Sequence, residues 1–275
     1  MSRAVLFVEV RGSRWQAVLL MAAMAGVLLY SARLLAGPAA VVVVAVMLAA
    51  GLLLAPRATP AMLRRFFRAQ PLDPVRTPEL HAEASSLAAR AGLARPPALW
   101  VVHNPALTAF SVGAPNDSAI GISHRLLHTL SRREIAGILA HEMSHIAAGD
   151  MALLAVANVI GRLVRTLAFL GLLFAFLVVL SGAGAVSMSA LLVVAAAPLG
   201  VTLIHLALSR NREFDADRTA AALTGDPIGL ASALQRIETD QHSLLRRMLW
   251  RAVEVPALLR THPPTRARIA RLLGV

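Results

Sequence analysis

No charged residue occurs between Arg165 and Arg210. A run of that length cannot be the surface helix of a soluble domain, whose water-facing side needs polar residues every turn. Near its middle, "SGAGAVS" (181–187) supplies small turn-forming residues, so the run reads as two crossings of about 20 residues each joined by a tight turn. An earlier apolar pair, Ala17–Ala36 and Ala39–Ala55, is separated by Gly37-Pro38 and reads as a first hairpin. The chain is 57% hydrophobic and only 15% charged over 275 residues, which fits an integral membrane protein with about four spans. Arg3, Arg11 and Arg14 precede the first run as they would in a signal peptide, but a second span follows at once, so an uncleaved anchor is expected.

The formal net charge of +12 comes from arginine alone, since the chain has no lysine. Arginines cluster after the spans, at Arg57, Arg64, Arg65 and Arg68 and again at Arg210 and Arg212, whereas the turn at 181–187 carries none. This is the bias of segments on the cytoplasmic side, so the expected partner is the lipid bilayer and not nucleic acid. Both termini and the polar middle are placed in the cytoplasm, as in a multi-pass protein of a bacterial inner membrane. With no cysteine, disulfides and thiolate metal sites are excluded.

Between the hairpins the grammar is that of a folded α+β domain. Thr77-Pro78 opens a short amphipathic helix that Gly92 ends. "PALWVV" (97–102), "TAFSV" (108–112) and "AIGIS" (119–123) read as strands of a small sheet, the last two joined by "GAPNDS". Ser131 and Glu134 have the spacing of a capping box, starting a further helix. The domain plan is a hairpin over 1–56, a first cytoplasmic part over 57–165, a second hairpin over 166–209 and a second cytoplasmic part over 210–275.

The capped helix carries "AHEMSH". His141 and His145 lie four apart, so at about 100° per residue they project within roughly 40° of each other and can bind one metal ion. Glu142 is turned about 100° from His141, where it can reach a metal-bound water without being a ligand. This is H-E-x-x-H, against the bland alternative of a satisfied polar patch. A hydrolytic zinc site needs a third ligand and an open position. In "SRNREFDADRTA" (209–220), Glu213 and Asp217 are again four apart, where the chain returns to the side of the histidines. Alone they would be a solvated salt-bridged face; as partners, Glu213 completes the site and Asp217 orients a ligand histidine.

With "TAFSVG", "LAHEMSHIAAGD", "REFDADRTA", the paired hairpins and the late "THPPTRARIARL" (261–272) in this order, the chain resembles the M48 family of zinc metallopeptidases, in particular the membrane-bound HtpX-like proteases. The resemblance implies a mainly helical zincin-type domain with a small sheet and one Zn2+ per chain on His141, His145 and Glu213. It further implies Glu142 as the catalytic carboxylate, Asp217 behind a ligand, and unfolded or membrane proteins as substrates in quality control. Related proteins often have asparagine where Thr108 stands. His262, before Pro263-Pro264, is the expected second donor to the oxyanion. Thr108, Ala109, Phe110, Ser111, Val112 and Gly113 are expected to form an exposed edge strand that takes substrate through its backbone. Proline at Ala109 and at Ser111 is expected to separate an outward donor from an inward one. A site-2-type protease is disfavoured because the motif helix opens with Arg132, Arg133 and Glu134. A non-hydrolytic, zinc-stabilised sensor or scaffold is disfavoured because Glu142 is not needed to bind metal.

Overall fold

The computed structural model describes residues 3–54, 59–182, 187–248 and 263–274. Its elements in chain order are α1 (Arg3–Leu53), α2 (Pro60–Phe67), β1 (Gln70–Pro71), α3 (Pro78–Arg90), β2 (Ala98–Val102), β3 (Ala109–Ala114), β4 (Asp117–Ser123) and α4 (His124–Thr129). There follow α5 (Arg132–Ala148), α6 (Asp150–Ser181), α7 (Met188–Thr224), α8 (Pro227–Met248) and α9 (Thr265–Leu273). The chain folds as two compact units, one of Met1–Pro56 with Leu153–Asn211 and one of Arg57–Ala152 with Arg212–Val275.

Among the described residues, three helices are long and apolar enough to cross a membrane: Trp15–Leu53, Asp150–Ser181 and Met188–Thr224. The first is interrupted at Ala36 and at Gly37, which takes φ 75°, a conformation that costs glycine no Cβ clash. Pro38 then offers no N–H to continue the ladder. Inside this unit Met24, Leu28, Ala32, Ala157, Ile160, Val164 and Val201 pack together. Phe169, Phe174, Phe176 and Leu180 point outward, each more than 60% exposed. An exterior of phenylalanine and leucine is stable against lipid, not water. α6 and α7 extend well past the uncharged run; α6 begins at Asp150, and α7 continues through Glu213 and Asp217.

The second unit is built round a four-stranded sheet of order β1-β2-β4-β3. β2 and β4 are parallel, while β1 with β2 and β3 with β4 are antiparallel, so β3 is an edge strand. Ser123 N–H donates to Thr108 O at 2.8 Å, which fixes 108/123 as a hydrogen-bonded pair. In the register Phe110↔Gly121 and Val112↔Ala119 must then also exchange hydrogen bonds. The backbone groups of Ala109, Ser111 and Gly113 face away from β4. Ala109 and Ser111 therefore share one direction, contrary to the expected contrast between them; the inward donors are at Phe110 and Val112.

α5 lies over this sheet. Its capping box is formed: Ser131 N–H donates to Glu134 Oε2 at 2.8 Å and Glu134 N–H donates to Ser131 Oγ at 3.4 Å. Such a cap is worth about 1 kcal/mol, whereas each fully buried aliphatic side chain contributes about 1.5–3 kcal/mol. Ile138, Leu139, Met143 and Ile146 are all buried in the core with Leu87, Ile120, Ile122 and Leu230. Packing thus holds the helix, and the cap decides where it starts. Glu134 also accepts from Ser232 Oγ at 2.5 Å and pairs with Arg236 at 3.0 Å, tying α5 to α8. At Gly137 the two helices approach so closely that a Cβ would sit 3.0 Å from the Leu230 Cα. By contrast, Thr77 begins α3 without a side-chain cap; its hydroxyl donates to Asp73 O at 2.9 Å.

Candidate metal centre

His141, Glu142 and His145 occupy the buried middle of α5, and Glu213 and Asp217 come from α7. One ligand atom from each of His141, His145 and Glu213 lies within 4.8 Å of the others, and all three residues are buried. The two Nε2 atoms are 3.2 Å apart, and the imidazole planes are nearly perpendicular at 88°. Glu213 places Oε2 at 3.7 Å from His141 Nε2 and Oε1 at 3.6 Å from His145 Nε2. The carboxylate therefore spans the gap between the imidazoles.

Each imidazole is backed on its far side. His145 Nδ1 donates to Asp150 Oδ2 at 2.7 Å, and Asp150 in turn accepts from Arg212 Nε at 2.5 Å. His141 Nδ1 lies 3.0 Å from Asp217 Oδ1, an approach too oblique to form a hydrogen bond. Asp217 is gripped by both Arg268 Nε, at 2.7 Å, and Arg268 Nη2, at 2.6 Å. Arg268 Nη1 also reaches Glu213 Oε2 at 3.1 Å.

The charges follow. Burial by itself would lower the pKa of His145, but the hydrogen bond to Asp150 and the charges of Glu142, Glu213 and Asp150 raise it above the ordinary value. Burial opposes ionisation of Asp217, yet Arg268 and His141 hold its carboxyl below the usual range. Asp217 stays a carboxylate. The pocket is one that seeks a cation, whether a proton or a metal.

Asp150, Arg212 and Arg268 were not singled out as site residues by the sequence. Asp150 is the first residue of α6, and Gly149, at φ 75°, ends α5 and turns the chain so that this aspartate returns to His145. The five-residue spacing from His145 and the intervening glycine were the available signal. Arg268, buried on α9, lay in the quoted "THPPTRARIARL", and Arg212 immediately precedes Glu213. His262 lies outside the described residues. The strand expected at 108–112 is β3, starting one residue later; its Ser111 is buried, and Ser111 Oγ has no hydrogen-bond partner.

The sequence matches the model of Peptidase family M48 over residues 74–275. The chain belongs to peptidase family M48. Among M48 relatives, the protease HtpX homolog of Acidiphilium cryptum is 34% identical over 221 residues, covering 75% of this chain and 77% of that protein. The HtpX homolog of Pyrococcus abyssi is 35% identical over 223 residues, covering 75% and 76%. The chain is thus an HtpX-like M48 protease. The crystal structure of S. mikatae Ste24p shares the fold, with a TM-score of 0.50 at 21% identity, over 84% of this chain. This chain spans 56% of that one.

An M48 metallopeptidase implies a metal, and the residues present fit one. Two imidazoles and a carboxylate are a donor set that zinc accepts in hydrolytic sites, and their ligand atoms converge while aspartates stand behind both rings. Orienting partners of that kind are the usual outer support of histidine ligands.

Proposed function

We propose that this M48 protein is a zinc-dependent endopeptidase with His141, His145 and Glu213 as the ligands of one Zn2+ per chain. What carries the reading is the convergence of His141 and His145, on the same helix as Glu142, with Glu213 from α7, all three buried. When bound, the metal supplies Lewis acidity to a water and to the scissile carbonyl. Glu142 takes the proton of the attacking water and returns it to the departing amine. Asp150 holds the His145 imidazole with Nε2 inward through its hydrogen bond, Asp217 stands 3.0 Å behind His141 as its charge partner, and Arg212 and Arg268 fix those two aspartates in place. His262 donates to the developing oxyanion.

Substrate enters as an added strand. The outward N–H and C=O groups of Ala109, Ser111 and Gly113 on the β3 edge pair with an extended peptide, an arrangement that asks little of its side chains. Unfolded segments of soluble or membrane proteins are therefore the substrate class. The arginines that follow the apolar helices support a cytoplasmic location for the metal-binding residues of a multi-pass protein. Because the chain has no cysteine, single cysteines at Asn116 and Gly184 report topology without background; an impermeant reagent should reach them from opposite sides.

The deciding experiment is Glu142→Gln. It is expected to retain zinc, fold and membrane insertion while cleavage of an unfolded protein falls to background, since an amide cannot serve as the base. Cleavage at the parent rate would remove Glu142 from the mechanism. Loss of zinc with loss of fold would mean that the carboxylate is structural.

A further inference from the structure

A second histidine pair with the same spacing stands on α4. His124 and His128 are four residues apart, both exposed, with Nε2 atoms 3.1 Å apart and ring centroids 4.3 Å apart. The corresponding values for His141 and His145 are 3.2 Å and 4.7 Å. Two nitrogens at about 2.0–2.1 Å from a tetrahedral zinc are roughly 3.4 Å apart, so either pair chelates one ion with small rotations of the rings.

The short helix under the second pair is held firmly. Ser123 Oγ accepts from Leu126 N–H at 3.2 Å, Leu126 is wholly buried, and Arg125 is paired with Asp240 at 2.6 Å. The pair is thus presented on a fixed base, not on a loose loop. It lines a cleft of about 1000 Å³ with Glu79, Arg132 and Arg133 among the walls. Both arginines are matched by carboxylates, Arg132 by Glu79 and Arg133 by Asp226, which mutes their repulsion of a cation. The ring of His103 stands parallel to that of His124, 6.5 Å away, adding a further imidazole to the same surface.

We propose that His124 and His128 form a second metal site, separate from the M48 centre, for a borderline divalent ion such as Zn2+, Ni2+ or Cu2+. Imidazole suits these ions. In the free pair one Nε2–H donates to the other Nε2; in the metal-bound pair both rings carry their proton on Nδ1 and both Nε2 lone pairs face the ion. Among the described residues no carboxylate completes a three-ligand group with this pair, so the remaining positions are filled by water and the ion exchanges readily.

The test uses tag-free full-length chain in detergent, first loaded with zinc and desalted, then titrated calorimetrically with Ni2+. One further equivalent is expected in the parent chain and in His81→Ala, a single histidine of α3 hydrogen-bonded to its own helix. That equivalent is expected to vanish in His124→Ala and in His128→Ala. Because both residues are exposed, these variants should retain the parent melting temperature, which checks that the loss is local. The titration is repeated in His141→Ala/His145→Ala, where one Ni2+ equivalent should persist, so failure of the catalytic-metal reading leaves this result intact. Absence of the extra equivalent in the zinc-loaded parent, or its survival in both α4 variants, overturns the proposal.

Discussion

The histidine pairs of α4 and α5 share their spacing and nearly the same separation of Nε2 atoms, 3.1 and 3.2 Å, yet their surroundings differ. On α5 both rings are buried, a glutamate bridges their inner nitrogens, and an aspartate with its own arginine stands behind each. On α4 both rings are exposed, and among the described residues no carboxylate closes the gap between them. The spacing of two histidines creates the bite; the carboxylates decide whether it holds a resident ion or an exchanging one. The bridging glutamate arrives from α7, so a tight site needs the folded unit and a loose one needs only a single turn of helix.

The sharpest way to break the comparison is to remove one inner nitrogen. His145→Ala is expected to lose the zinc of the M48 centre and all hydrolysis, as metal analysis and cleavage of an unfolded protein would show, while the α4 equivalent remains. Retention of zinc would mean that Glu213 and His141 suffice. Next in size is Val112→Pro against Ser111→Pro. The first removes an inward donor of the β3–β4 ladder and is expected to lower the melting temperature by several degrees. The second removes an outward donor and is expected to raise the KM for an extended peptide with zinc retained. Equal effects of the two on stability and KM would refute strand addition at this edge.

A smaller effect tests the backing residues. Asp150→Ala leaves all three ligands in place but frees the His145 ring, and a loss of about 10–100-fold in zinc affinity is expected, measured by chelator competition. An unchanged affinity would show that burial alone orients the ring. Acidification probes the same partnership. Since Asp150, Glu142 and Glu213 raise the pKa of His145, the proton begins to compete with metal above the ordinary imidazole value of about 6.5. Zinc affinity should fall as pH drops through that range, and in Asp150→Ala the fall should begin at lower pH.

What the sequence disclosed of all this was local in character. The i, i+4 pairs of α5 and α7, the Ser131–Glu134 box and the Gly37-Pro38 break each depend on residues within one or two turns, and spacing alone reveals them. Arg268 and Arg212 meet their aspartates across 51 and 62 residues, and nothing distinguishes them beforehand among 27 basic residues. β1 has only two residues and exists because β2 pairs with it. The turn-rich "GAPNDS" concealed strand residues at both ends, leaving Pro115 and Asn116 as the link. Distant electrostatic matches and paired edges belong to the assembled unit, so periodicity cannot foretell them.

Gly137 makes the metal centre adjustable from a distance. It lies four residues before His141, about 6 Å along the helix axis, and touches the backbone of α8 at Leu230. That contact acts as a fulcrum: a side chain inserted there would pry the two helices apart and swing the far end of α5 through an arc. A site of this kind works only while its donors are held within about 0.5 Å of the right geometry, so a shift at the pivot reaches three donors without altering any of them.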